Sequence, residues 1–141
     1  MQAIAYELRK IMKECFVRKK IDANEPNLFC DLPDRVVCVE LNKQQHTIEK
    51  KTCERACEIV AALGGRPVVF IRYNPEAFKW KGKAYNAAQA EKAELLVNVI
   101  KDEITRKISG FEVKLMQLWY DDDLDEYTPC KINDITSLAA A

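Results

Sequence analysis

A chain of 141 residues, 48% hydrophobic and 31% charged with only four Gly and five Pro, has room for one domain with its own core. Twenty-two basic against 22 acidic residues leave a formal net charge of zero. That balance argues against tight, non-specific nucleic-acid binding by the surface as a whole and confines any phosphate recognition to local patches. No run of 18 apolar residues could span a membrane, and the charged opening carries no secretory apolar region. The six cysteines, at 15, 30, 38, 53, 57 and 130, are therefore expected as free thiols in a reducing, intracellular compartment, cytoplasm or nucleus.

In chain order, Ile4, Leu8, Ile11, Cys15 and Phe16 fall at helical spacing opposite Arg9, Lys10, Lys13 and Glu14, which predicts an amphipathic helix over residues 2–20. Residues 22–26 are turn chemistry, with Pro26 biasing Glu25 away from helical geometry. A short strand over 28–31 and a turn at Leu32-Pro33-Asp34 lead into residues 36–41, an apolar, β-branched run expected as a strand buried on both faces. Residues 68–73 have the same character. Between them Ile48, Thr52, Ala56, Ile59, Val60 and Leu63 recur with helical period, and Gly64-Gly65 supplies a stop. A helix joining two buried strands predicts a β-α-β crossover, right-handed by default.

Asn74-Pro75 ends the second central strand, and Trp80-Lys81-Gly82-Lys83 reads as an exposed loop. Ala90, Ala93, Val97, Ile100, Ile104 and Ile108 predict a long helix ending near Ser109-Gly110. Residues 111–120 alternate imperfectly and read as a less buried strand. The acidic block 121–126 and the stretch 137–141 carry few fold signals apart from Tyr127, Ile132 and Ile135. The expected architecture is α/β, a three-layer sandwich with a small mixed sheet flanked by helices. It is read as one domain over 1–136 with its core at about 25–120, followed by a tail over 137–141.

The chemistry concentrates where the strand 36–41 ends. Glu40, Asn42, Lys43, Gln44, Gln45 and His46 follow one another within seven positions. Residues two apart on a strand share a face, so Glu40 and Asn42 project together while Leu41 packs on the other side. Such a pair of oxygen donors is what Mg²⁺ needs from a protein, completed by a ligand from the neighbouring strand, waters and substrate phosphate.

The blocks Pro26-Asn27-Leu28-Phe29, Val39-Glu40-Leu41-Asn42-Lys43-Gln44-Gln45-His46, Cys53-Glu54 and Gly65-Arg66-Pro67-Val68-Val69-Phe70-Ile71-Arg72-Tyr73-Asn74-Pro75-Glu76 together resemble a family of nucleases from large DNA viruses and some protists. That family is itself similar to the restriction-endonuclease-like (PD-D/E-x-K) superfamily, with its short-patch mismatch-repair and homing-endonuclease branches. The likeness runs from about residue 25 to 120. It implies a restriction-endonuclease-like fold, DNA as partner, and Mg²⁺ or Mn²⁺ as cofactor for phosphodiester hydrolysis. It implies Asn27, Glu40 and Asn42 as metal-ligand positions, with Glu40, Asn42, Lys43, His46 and Glu54 as catalytic positions. Glu76 stands where the family has Asp in its Asn-Pro-Asp turn.

Two departures decide the functional expectation. Asn27 and Asn42 stand where the family carries Asp; the change keeps one carbonyl oxygen but deletes a charge, and oxygen-site affinity follows ligand charge. Hydrolysis is expected to be impaired. Lys43 lies three residues from Glu40 and faces the opposite side of a regular strand unless a bulge turns it.

Plainer readings stand beside these. Glu40 also reads as a salt-bridge partner of Arg35 or Arg72, Asn27 as a turn residue after Pro26, and His46 as a surface or capping residue. Cys53 and Cys57 share one helix face but lack a second ligand pair, so buried thiols explain them better than zinc. Lys50, Lys51, Lys79, Lys81 and Lys83 are the candidate nucleic-acid contacts, with Trp80 and Tyr85 as base-stacking candidates or local packing anchors. The alternative to a nuclease-fold nucleic-acid binder is a catalytically inactive, protein-interaction domain on the same scaffold.

Overall fold

The computed structural model describes residues 2–19, 27–41, 50–108 and 110–140. Its elements are α1 (Gln2–Cys15), β1 (Val17–Lys19), β2 (Asn27–Asp31), β3 (Val36–Leu41), α2 (Lys50–Ala62), β4 (Val68–Tyr73), β5 (Phe78–Trp80), β6 (Lys83–Tyr85), α3 (Gln89–Thr105), β7 (Val113–Leu118), β8 (Cys130–Asp134) and α4 (Thr136–Ala140). Six strands form one mixed sheet in the order β1-β2-β3-β4-β7-β8, and β5 and β6 form a separate hairpin. The first three strands are an antiparallel meander, β3, β4 and β7 run parallel, and β8 returns antiparallel along β7.

The period-2 geometry of the central strands splits the core in two. Val37, Val39, Val69, Ile71, Met116 and Leu118 point to the layer of α1 and α3, where Leu8, Ile11, Met12, Leu96 and Ile100 meet them. Val36, Cys38, Val68, Phe70, Val113 and Leu115 point the other way, onto Ala56, Ile59 and Val60 of α2 and Ala139 of α4. Helices thus cover both faces, which is why residues 36–41 and 68–73 read as continuous apolar runs. The expected β3-α2-β4 crossover is present, with β3 parallel to β4. The chain then continues in the same direction from β4 to β7 through α3 on the opposite face. Two such crossovers cannot share a hand, so only one of them has the usual right-handed sense.

Several expectations are corrected. The first helix stops at Cys15, because the β-branched Val17 starts β1 directly after the buried Phe16, and the register of β1 against β2 (Val17 to Phe29, Lys19 to Asn27) outweighs helix propensity. β7 is not a marginal strand but an interior one: Val113, Leu115, Met116, Gln117 and Leu118 are buried, since β8 and β4 cover both its edges. The stretch read as a tail forms α4, anchored where the Thr136 hydroxyl accepts from the Val113 amide at 3.0 Å. The loop around Trp80 is a tight hairpin. Its central residues Lys81 and Gly82 both have positive φ, 53° and 77°, the requirement of a type I′ turn.

Asn74 ties the ends of β4 and β7 together. It is fully buried; its amide donates to the Trp119 carbonyl at 2.8 Å and the Glu76 carbonyl at 3.0 Å, and its Oδ1 accepts from the Glu76 amide at 2.9 Å. Trp119 sits at φ 63°, a costly conformation for a bulky residue, and its amide is held by the Pro129 carbonyl at 2.7 Å. The buried Lys92 ammonium closes the same turn by donating to the Glu76 carbonyl at 2.5 Å.

Candidate functional site

A polar row crosses the sheet near the C-terminal ends of its parallel strands. Glu40 pairs in register with Arg72, Arg72 with Gln117, and Gln117 with Lys131. Strand alternation puts this row on the α2 face, one step beyond the apolar row Cys38, Phe70 and Leu115. Extending the β2–β3 register one residue past Leu28 and Val39 sets Asn27 opposite Glu40, so the backbone brings those two sequence-selected positions side by side.

Glu40 is buried, 9% exposed, and it is not solitary. Its Oε1 accepts from Arg55 Nη1 at 2.9 Å, and its Oε2 lies 3.4 Å from Arg72 Nε. The salt-bridge reading with Arg72 therefore holds, and the one with Arg35 does not. Arg35 lies buried at the other end of β3, beside Asp34 at 2.8 Å and Glu103 at 3.8 Å. Arg55 was not singled out in the sequence. It comes from the middle of α2, and the crossover that lays Ala56, Ile59 and Val60 on the sheet swings it over the end of β3. The Cys38 thiol donates weakly to Glu40 Oε1 at 4.0 Å; burial, then the Glu40 charge, pushes it far above the ordinary thiol range and keeps it protonated.

This arrangement bears on metal binding. A divalent cation on Glu40 would meet two guanidiniums, and at ~4 Å with an effective dielectric of ~20 each unit-charge pair costs about 4 kcal/mol, doubled for a divalent ion. Among the described residues no three His, Cys, Asp or Glu side chains are grouped to hold a metal. The two guanidiniums thus oppose a divalent ion at Glu40. Asn42, Lys43 and His46 lie outside the described residues.

The remaining candidates are scattered. Glu54 is exposed, makes no hydrogen bond or ion pair among the described residues, and lines a groove with Cys53, Cys57, Glu58 and Leu138 between α2 and α4, apart from the Glu40 cluster. Glu76 contributes its backbone to the Asn74 turn while its side chain is exposed. Lys50 and Lys51 open α2. None of the six cysteines is in a disulfide.

Lys79, Lys81 and Lys83 are exposed on the β5–β6 hairpin, but the acidic block is folded against it. The Lys79 amide donates to Asp121 Oδ1 at 2.7 Å, the Lys81 amide donates to the Asp122 carbonyl at 2.9 Å while the Asp122 amide donates to the Lys79 carbonyl at 2.8 Å, Trp80 Nε1 donates to the Leu124 carbonyl at 2.7 Å, and Lys81 Nζ lies 3.4 Å from Asp125. Opposite charges far apart in sequence are thus one mixed patch. Trp80 and Tyr85 belong to an aromatic cluster with Phe78, Trp119 and Tyr127, in which Phe78 and Tyr127 stack at 4.2 Å between centroids. The packing-anchor reading of those rings accounts for their contacts.

Among the described residues no helix is long and apolar enough to cross a membrane. Comparison with family models, curated proteins and solved structures finds no match to this chain.

Proposed function

We propose that this chain is a nucleic-acid-binding α/β domain on a restriction-endonuclease-like scaffold, with DNA as its partner and with Mg²⁺-dependent phosphodiester hydrolysis impaired. The observation that carries the reading is the antiparallel pairing of β2 with β3 through Leu28 and Val39, which, continued by one residue, sets position 27 beside Glu40 near the C-terminal edge of the parallel strands. Crevices outside that edge are where open α/β sheets present ligands. The helix layers on both faces of a mixed sheet agree with the three-layer architecture the resemblance implies. Impairment is supported by Asn at positions 27 and 42 and by the two guanidiniums that neutralise Glu40. The test is plasmid nicking with Mg²⁺ or Mn²⁺, run beside a gel shift of the same plasmid. Retardation with little nicking is expected; robust cleavage contradicts the impairment, and no retardation contradicts the reading as a whole.

A second reading, a catalytically inactive protein-interaction domain, is favoured by one feature. The acidic block offsets the hairpin lysines, and it leaves Leu124 and Ile132, each 59% exposed, along one groove beside the edge strand β8. Retention of a protein partner together with failure to shift DNA would select it.

A further inference from the structure

Glu40 holds two arginines and satisfies neither. Arg55 gives it one nitrogen at 2.9 Å, Arg72 reaches it with Nε at 3.4 Å, and the remaining guanidinium nitrogens of both make no hydrogen bond among the described residues. A guanidinium carries five N–H donors in a rigid fork. The carboxylate is more buried than either partner: Glu40 is 9% exposed at its side chain, Arg72 15% and Arg55 32%. The anion therefore lies beneath and the cations toward solvent, with a net charge of +1 across the three groups. Lys131, the last residue of the row, adds no such surplus, because its ammonium lies 3.3 Å from the buried Asp122. We propose that Arg55 and Arg72 form a seat for one phosphate group of a nucleic-acid backbone, bound directly and without a divalent cation, with Glu40 as the internal latch that holds the two forks together.

The latch explains a buried acid at this position without a metal. Two guanidiniums converging on the end of one strand repel each other unless a carboxylate lies between them. Once held, their outward N–H groups match phosphate oxygens, for which the arginine fork is geometrically suited. Cys38, protonated beneath the site, brings no competing negative charge. The inference rests on the proposed nucleic-acid reading for the source of the phosphate; the seat itself follows from the arginine pair.

The test uses the full chain in EDTA, with a fluorescent duplex oligonucleotide read by anisotropy over a salt series and inorganic phosphate read by NMR at the arginine Nε–H signals. Arg55→Gln is expected to weaken oligonucleotide binding about 5- to 10-fold and to reduce the salt slope by about 1, the signature of one lost phosphate contact. Glu40→Gln, which removes the latch and lets the two guanidiniums separate, is expected to lose the phosphate-induced shifts at both arginines even though the local positive charge rises; tighter phosphate binding by Glu40→Gln would overturn the latch. Oligonucleotide binding left unchanged by Arg55→Gln, with no phosphate-induced shift at Arg55 or Arg72, overturns the seat while leaving the nucleic-acid reading intact. Phosphate-induced shifts at both arginines without oligonucleotide binding support the seat with free phosphate or a phosphomonoester as its source, and it is the nucleic-acid reading that then falls.

Discussion

Arg55 of α2 donates to Glu40 of β3 at 2.9 Å, so the acidic residue that ends the central strand is neutralised by a helix fifteen positions further along the chain. Removing the carboxylate leaves Arg55 and Arg72 facing each other with no anion between them. Glu40→Gln is expected to cost about 2 kcal/mol, within the range for hydrogen bonds to buried charged groups. Urea unfolding reads this as a lowered midpoint with unchanged slope. An unchanged midpoint would mean that the ion pairs contribute nothing.

Asn74 makes a different kind of demand, because its amide group both donates and accepts. Asn74→Asp keeps the bond from the Glu76 amide but removes the donor that reaches the Trp119 carbonyl and sets a negative charge against it. A loss of roughly 2–4 kcal/mol is expected, since several buried groups lose their partner at once. Thermal unfolding of Asn74→Asp beside Asn74→Ala separates the two contributions: the Asp variant should be no more stable than the Ala variant.

Gly82 tests the hairpin alone. Its φ is 77°, and a Cβ built there meets nothing within 4 Å, so Gly82→Ala carries only the backbone penalty of the left-handed region, about 1 kcal/mol. Tryptophan fluorescence should report the change, because Trp80 sits directly before the turn and packs on Tyr85 at 5.7 Å between centroids.

Acid sensitivity should come in part from Glu112. The hydrogen bond from Arg106 holds its carboxyl below the ordinary value of 4.5, although burial opposes the shift. A carboxylate whose folded pKa is depressed contributes stability that is present above its unfolded pKa and lost as pH falls through the folded one. Stability should therefore decline below about pH 4.5, and Glu112→Gln should flatten that acid limb while lowering stability at neutral pH. An acid limb that is unchanged in the variant would assign the decline to other carboxylates.

If positions 27 and 42 hold the roles the resemblance implies, Asn27→Asp combined with Asn42→Asp should gain Mg²⁺-dependent plasmid nicking over the parent chain. No gain over the parent would remove both positions from the site.

Much of the sheet was legible in the sequence because its central strands are buried on both faces: residues 36–41 and 68–73 have few polar positions to confuse the period. β8 was missed for the converse reason. It is an edge strand whose sequence, Cys130-Lys131-Ile132-Asn133-Asp134, carries little apolar signal, and Ile132 is exposed. The hairpin was legible in principle, since Lys81-Gly82 between two short aromatic runs is a type I′ pattern with Lys in the less usual first position. At the site, Glu40 and Arg72 could be picked out from strand position. Arg55 could not, because its part depends on where the crossover lays α2, a relationship that no local spacing encodes. The pairing of Lys81 with Asp125 was hidden in the same way, since it joins segments 44 residues apart.

Direct phosphate contact is tested most sharply by the salt dependence of duplex DNA binding by the unmodified chain in EDTA. Phosphate contacts release counterions, so measurable binding is expected at low salt, with a logarithmic affinity that falls linearly with the logarithm of salt concentration. Absence of binding at low salt, or an affinity indifferent to salt, would contradict it.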